Sequence, residues 1–465
     1  MPYVGNTEAD RRAMLDALGL ESIEELFADI PADHRFPALE LPPARSEMDI
    51  LRDAAELATR NAAGSGVPGQ RFLSFAGAGA YQHFIPSVVS YLSGRGEFAT
   101  AYTPYQAEAS QGTLQTIFEY QSMMCDLLDM DVVNASHYDG ATAVAEAAIM
   151  AVRSTRDRHK VAFSGGLHPE YIAVARTYLD PQGITVDIVN VPDVPGSAGG
   201  TVAQLIAAVD EATAALVVQN PDVLGQLHDL KNLADAVHER GALLVLHVDP
   251  IATAIFASPG SLGADIVTGE GQPLGIPLSF GGPYLGIFAA RSSLVRKIPG
   301  RLVGQTADAD GRRGFVLTLN TREQHIRREK ATSNICTNQG LMALRAAIYL
   351  ASMGPAGLRE VAERCYQNAH YAAGRLGEIP GCSVNNGART PFFKEFVLTL
   401  PIEAEKVISR TASAGITPGV ALSRYYPKRA RDLLVAVTEI YTRDDLDRLA
   451  DAVAMAVEAG NGGAQ

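Results

Sequence analysis

Two stretches carry residues whose type and spacing could do chemistry. Residues 243–250, LLVLHVDP, form a continuous apolar run that ends on Asp249. Runs of this kind read as strands buried on both faces. An acid at the carboxyl end of such a strand faces the crevice where α/β sheets bind ligands, and it can hold a protonated ring nitrogen there. Downstream, residues 263–291, GADIVTGEGQPLGIPLSFGGPYLGIFAAR, read as a short strand (265–268), a loop rich in glycine and proline, and a second strand (284–290). A lysine on that loop could form an imine with a carbonyl ligand. The loop has none. The lysines are Lys160, Lys231, Lys297, Lys330, Lys394, Lys406 and Lys428, so the gap from Lys231 to Lys297 spans both stretches.

Other polar groups fit the same chemistry. Residues 136–150, SHYDGATAVAEAAIM, open an alanine-rich helix at Gly140-Ala141-Thr142. The free amides of a helix N-terminus suit a phosphate. Residues 75–86, FAGAGAYQHFIP, bring Tyr81 and His83 to a tight loop, either as a cavity lining or as a domain-entry loop. Tyr102, Tyr105, Gln106 and Glu108 cluster ahead of a core helix (113–128). Residues 327–339, RREKATSNICTNQ, set cations beside hydroxyls and amides: Lys330, Thr332, Ser333, Asn334 and Thr337. That mixture suits an oxyanion, and it would equally serve to start the helix that follows. An acid for a ring nitrogen and a helix N-terminus for a phosphate belong to pyridoxal-phosphate (PLP) enzymes of the aminotransferase-like fold. Without a lysine on the loop, no other side chain makes the internal imine. The chemistry alone predicts that this chain carries no covalently bound PLP.

These residues need a scaffold. From Lys160 onward strands are expected at 161–165, 185–191, 214–221, 243–249 and 265–268, with helices at 170–179, 201–212 and 229–240. Such alternation predicts a mostly parallel sheet covered on both faces. Several strands end on polar residues: Gly165-Gly166 with His168 close behind, Gln219-Asn220, and His247 with Asp249. Ahead of this lies a helical N-terminal arm, helical from Thr7 to Ala28 and again over 47–60. Residues 291–330 read as loops and charge. Beyond Gly354 come helices at 356–376, 403–414 and 443–458 and strands at 392–400 and 433–438. The expected division is an arm (1–70), a large α/β domain (71–335) and a smaller C-terminal α/β domain (336–465).

The totals set bounds. At 465 residues the chain exceeds one compact core. A net charge of −13 argues against nucleic acid or an anionic membrane surface as partner. Four scattered cysteines form no CxxC pair, so neither a disulfide framework nor a metal site is expected. The charged N-terminus lacks an apolar secretory core, and no apolar run reaches membrane-spanning length. A cytoplasmic protein is expected.

The segments FAGAGAYQHFIPSVV, YTPYQAEASQGTLQTIFEYQ, GEGQPLGIPLSFGGPYLG and REQHIRREKATSNICTNQ resemble the P-protein family of the glycine cleavage system, over nearly the whole chain. The length and the absent lysine resemble its α branch, subunit 1, where the P-protein is split into two chains. The resemblance implies a fold type I, aminotransferase-like large domain and a heterotetramer (α2β2) with a homologous β subunit that supplies the PLP lysine. The implied reaction decarboxylates glycine and passes the aminomethyl group to lipoyl H-protein. The lysine position of the β subunit falls here at about Pro273. Gly140, Thr142, His168 and Asp249 would remain as a vestigial cofactor cradle. Residues 331–337 and the Tyr102–Glu108 cluster would reach the β-subunit site or the lipoyl channel. Two other readings stand beside it: an autonomous PLP lyase or transaminase using Lys297 or Lys330, and a structural or regulatory subunit. No GxGxxG unit for NAD is present.

Overall fold

The computed structural model describes residues 5–61, 72–190, 201–387 and 390–461. The arm border at residue 70, residue 191 of an expected strand and the last four residues lie outside them. The chain divides into two units, Met1–Ala62 and Ala63–Gln465.

In the first unit, Thr7 caps the helix Glu8–Leu18 through a reciprocal pair with Asp10. The helix stops earlier than its apolar pattern suggests, because Gly19 adopts φ 68° and terminates it in the left-handed conformation. Ser46 caps the second helix, Glu47–Ala58. No described residue of this unit is buried, and Leu18, Phe36, Leu39, Leu41 and Leu51 are exposed.

The second unit begins with strand β1 (Leu73–Ser74). A seven-stranded sheet follows from β2 (Val132–Val133), β3 (Lys160–Ser164), β4 (Thr185–Val189), β5 (Thr213–Asn220), β6 (Leu243–Val248), β7 (Ile266–Glu270) and β8 (Gly286–Ala290), in the order β2-β8-β7-β6-β5-β3-β4. Strands β3 to β7 run parallel, and β8 pairs antiparallel with β7 and β2. Alternate residues feed opposite faces. Leu244, Leu246 and Val248 pack with Ala343, Tyr349 and Leu350 of the helix Gly340–Gly377. Val245 and Ile266 pack with the alanines of the helix Gly140–Ser154 on the other side. Alanine lets that helix approach the sheet closely, which brings its first turn to the carboxyl edge.

Residues 291–330, expected as loops, contain an antiparallel hairpin, β9 (Leu302–Ala307) with β10 (Arg313–Thr318). Its outer half is exposed, so the strands lack the apolar run that would announce them. The helix Gly340–Gly377 is apolar enough in composition to cross a membrane. It is instead two core helices joined at Gly354 (φ 61°, followed by Pro355), the break expected from the sequence. The C-terminal part holds β11 (Ser383–Val384), β12 (Glu395–Thr399), β13 (Ile416–Thr417), β14 (Val420–Ala421) and β15 (Asp432–Ala436). The order β11-β12-β15-β14 makes an antiparallel sheet, and β13 pairs with β1. The strand expected over 392–400 begins at Glu395, and the residues ahead of it, Phe392 to Lys394, turn toward the larger sheet.

Candidate functional site

The polar strand ends do converge. A crevice at the carboxyl edge of the seven-stranded sheet is lined by His168, Gln219, His247, Asp249, Glu270 and Pro273 from the larger sheet's side and by Lys394 and Glu395 from the smaller sheet. Its free volume is about 40 Å³.

Asp249 stands one residue past β6, and its Oδ2 lies 2.7 Å from Nζ of Lys394. Side-chain exposures of 13% and 2% make this a buried pair. Burial opposes the charged form of Asp249, and the Lys394 ammonium outweighs it, holding the carboxyl below its usual range. The ammonium also sits 3.6 Å from the centre of the Tyr81 ring, and 3.2 Å from Nε2 of His83. An ammonium only donates, so Nε2 accepts and the ring proton sits on Nδ1, which donates to Glu439 Oε2 at 2.7 Å. The Cys365 thiol donates to the same oxygen at 3.4 Å. His83, Cys365 and Glu439 are close enough to hold a metal, yet each is spent in this chain of hydrogen bonds, and burial pushes the thiol well up.

The neighbouring residue, Glu395, turns its carboxyl to the Ala78 amide (2.8 Å) and the Tyr81 hydroxyl (2.6 Å). Burial pushes it up to about 7 against those donors. The close approach depends on Gly225 (φ 80°), where a Cβ would lie 2.0 Å from the Glu395 carbonyl oxygen.

At the other end of the crevice, Glu270 closes β7 and accepts from three backbone amides. Oε2 takes Gly140 (2.9 Å); Oε1 takes Gln272 (2.9 Å) and Leu285 (3.1 Å). Burial pushes this carboxyl up to about 7, with the amides pulling the other way. Thr142 serves the helix cap: its amide and hydroxyl both donate to Asp139. His168 caps the helix Pro169–Leu179, with Nδ1 accepting from the Glu170 amide and Nε2 donating to the Ala78 carbonyl (3.1 Å). His247, pushed down to about 3 by burial, meets the Thr268 hydroxyl at 3.0 Å.

The structure therefore lines one crevice with His168, Asp249, Pro273 and Tyr81, each named above as a candidate, together with Lys394 and Glu270; Gly140 meets it only through its amide on Glu270, and Thr142 stays with the helix cap. The signal for Lys394 was present: a Lys-Glu pair inside the apolar stretch PFFKEFVLTL must be buried, and buried charges demand partners. Lys297 is exposed and donates to the Arg153 carbonyl; Lys330 is exposed on the turn Arg328–Lys330. Neither lines the crevice.

The remaining candidates occupy two separate clefts. Tyr102 and Thr337 line one of about 290 Å³, with Tyr102 89% exposed. Tyr105 lies nearby in sequence with the Arg301 guanidinium 5.7 Å over its ring, and Gln106 and Glu108 are exposed around the turn Ala107–Ala109. Thr332, Ser333 and Asn334 line another of about 600 Å³ beside Glu146 and Arg153. Ser333 donates to Glu146 Oε1 at 2.7 Å, and the Gln339 amide donates to Ser136, so the segment is pinned to the helix Gly140–Ser154 and to the loop ahead of it.

The sequence profile described as Glycine cleavage system P-protein matches residues 1–453. A relative from Thermomicrobium roseum, named probable glycine dehydrogenase (decarboxylating) subunit 1, is 50% identical over 97% of this chain and 99% of its own length. One of the same name from Chlorobium limicola is 51% identical over 98% of this chain and 100% of its own. Among solved structures, glycine decarboxylase (P-protein) of the glycine cleavage system, in inhibitor-bound form, superposes with a TM-score of 0.88. It is 42% identical and covers 98% of this chain and 100% of the other. The fold is the aminotransferase-like, type I fold of PLP enzymes.

Proposed function

This chain belongs to the glycine cleavage system P-protein family, and from that premise we propose that it is the lysine-less α subunit of glycine dehydrogenase (decarboxylating). In this reading a homologous β subunit joins it as α2β2, holds PLP on its own lysine, and decarboxylates glycine. The aminomethyl group then passes to the lipoyl arm of H-protein, and the complex works in the cytoplasm. The observation that carries the reading is the crevice itself: the strand-end acid is present, Pro273 stands on the loop, and the one lysine among the lining residues is tied to the acid.

Three parts of the chain have work in such a complex. The arm, taken as residues 1–70, displays apolar side chains that a partner could cover. The Tyr102–Thr337 cleft and the Thr332–Asn334 cleft offer polar, partly exposed groups in a chain whose own crevice is filled. Fold type I sites lie between subunits, so these clefts are the groups to complete the partner's site or its lipoyl channel. Residues 71–335 and 336–465 act as the large and small domains around the crevice.

The test is a PLP absorbance spectrum of this chain alone, of the β subunit alone and of the mixture, with glycine decarboxylation in parallel. Visible absorbance of lysine-bound PLP without this chain, and activity only with it, is the expected outcome. Lysine-bound PLP on this chain alone would overturn the reading. Full activity of the β subunit without it would leave a structural or regulatory role instead.

A further inference from the structure

The fold implies PLP, and the residues present do not fit it. We infer that two side chains of this chain stand in for the two charged ends of the cofactor: the Lys394 ammonium on Asp249, and the Glu270 carboxylate on the Gly140 amide. The crevice is thereby shut to PLP and to its analogues, with or without a covalent bond. The inference rests on the functional reading only in taking PLP as the cofactor of the fold.

A type I site holds the cofactor's pyridinium nitrogen on the strand-end acid, and a helix N-terminus such as that at Gly140 would hold its phosphate. At Asp249 the single positive charge and the donor are already supplied by Lys394. That ammonium is held from three sides, by the carboxylate, the Tyr81 ring and His83 Nε2. A ring entering there would displace a buried ammonium from its carboxylate and leave it among the aromatic faces of Tyr81 and Phe393.

At the helix start, a phosphate would meet the Glu270 carboxyl, which already gathers the amides of Gly140, Gln272 and Leu285. Two residues on, the Thr142 amide and hydroxyl are committed to Asp139. Both ring nitrogens of His168 are spent on backbone groups. The free volume of about 40 Å³ compares with roughly 300–1,000 Å³ for small-molecule sites and is water-sized. Lys394 precedes β12 of the smaller sheet and Asp249 follows β6 of the larger one, so opening the crevice means parting the two sheets.

The test uses 4-deoxypyridoxine 5′-phosphate, which has the ring nitrogen and the phosphate but no aldehyde, so surface lysines cannot trap it. It is titrated by calorimetry into the full-length chain, alone and assembled with a β subunit carrying its own PLP. No saturable site on this chain up to millimolar probe is expected in either state. One saturable site per copy of this chain, weakened by Asp249→Asn, would overturn the inference. A Lys394→Ala/Glu270→Ala variant is expected to gain binding at least tenfold over the wild-type chain. A folded variant with no gain would overturn the assignment to these two side chains; if the variant does not fold, the wild-type titration decides. The assay reads binding, not turnover, so an inactive complex would count against the functional reading and leave this one standing.

Discussion

The ammonium of Lys394 lies 2.7 Å from the carboxylate of Asp249, and that contact ties the four-stranded sheet of the second unit to its seven-stranded sheet across the crevice. The acid sits where the fold places a cofactor partner, and the chain itself supplies the cation. Buried ion pairs of this kind add little net stability while intact, because desolvation offsets attraction. Removing one partner leaves the other buried and unpaired.

Lys394→Met should therefore destabilise the isolated chain by about 3–5 kcal/mol. Asp249→Asn should do comparable harm. The double variant Asp249→Asn/Lys394→Met should be more stable than the sum of the two predicts, because no uncompensated charge remains. Thermal and denaturant unfolding of the four proteins checks the coupling. Additive losses would mean that the two residues act independently.

Gly225 touches the backbone of Glu395, the residue beside Lys394. Gly225→Ala places a methyl 2.0 Å from the Glu395 carbonyl oxygen at φ 80°, which the start of β12 can relieve only by moving away. A loss of at least about 2 kcal/mol is expected from overpacking and left-handed strain together. Gly183→Ala, also at positive φ but with open space around its Cβ, is the control and should lose less. The difference in melting temperature between the two reads the crowding alone.

Glu146 is 3% exposed, with Oε2 lacking a hydrogen-bond partner among the described residues. Burial pushes its carboxyl up to about 7 from 4.5, against the Ser333 hydroxyl and Arg153. The folded state therefore binds more protons than the unfolded state between those values, and stability falls as pH rises through that window. Glu146→Gln removes this contribution. The variant should match the wild-type chain near pH 4.5 and exceed it at pH 8 by on the order of 2 kcal/mol. Melting curves at the two pH values test it; a variant deficit that grows with pH would contradict the sign.

Tyr102 is almost fully exposed, so Tyr102→Ala should change the stability of the isolated chain by no more than about 0.5 kcal/mol. In the assembled complex, glycine decarboxylation should fall at least tenfold, as should that of Thr332→Ala. Turnover is measured beside sedimentation of the complex. Unchanged turnover with intact assembly would remove these two clefts from the partner's site.

Much of the scaffold was legible along the chain, because local pattern dictates it. The run LLVLHV can only be a buried strand, Gly354-Pro355 breaks the long helix, and the alanines after Gly140 make a helix that lies close to a sheet. The arm's first helix ends before its apolar pattern does, because the left-handed backbone of Gly19 decides the end. The hairpin 302–318 is not legible in the sequence because its exposed half carries no apolar alternation.

The absence of a lysine from the loop that holds Pro273 was likewise a property of the sequence alone: a missing amine is missing in any fold. What took its place was not. Lys394 lies far from Asp249 in sequence, and Glu270 far from Gly140, and only the packing of one sheet against the other and of the alanine helix on β7 brings each pair within hydrogen-bond distance. Sequence fixes which charges must be buried; tertiary structure chooses their partners, because a buried charge takes whichever opposite group the long-range packing delivers.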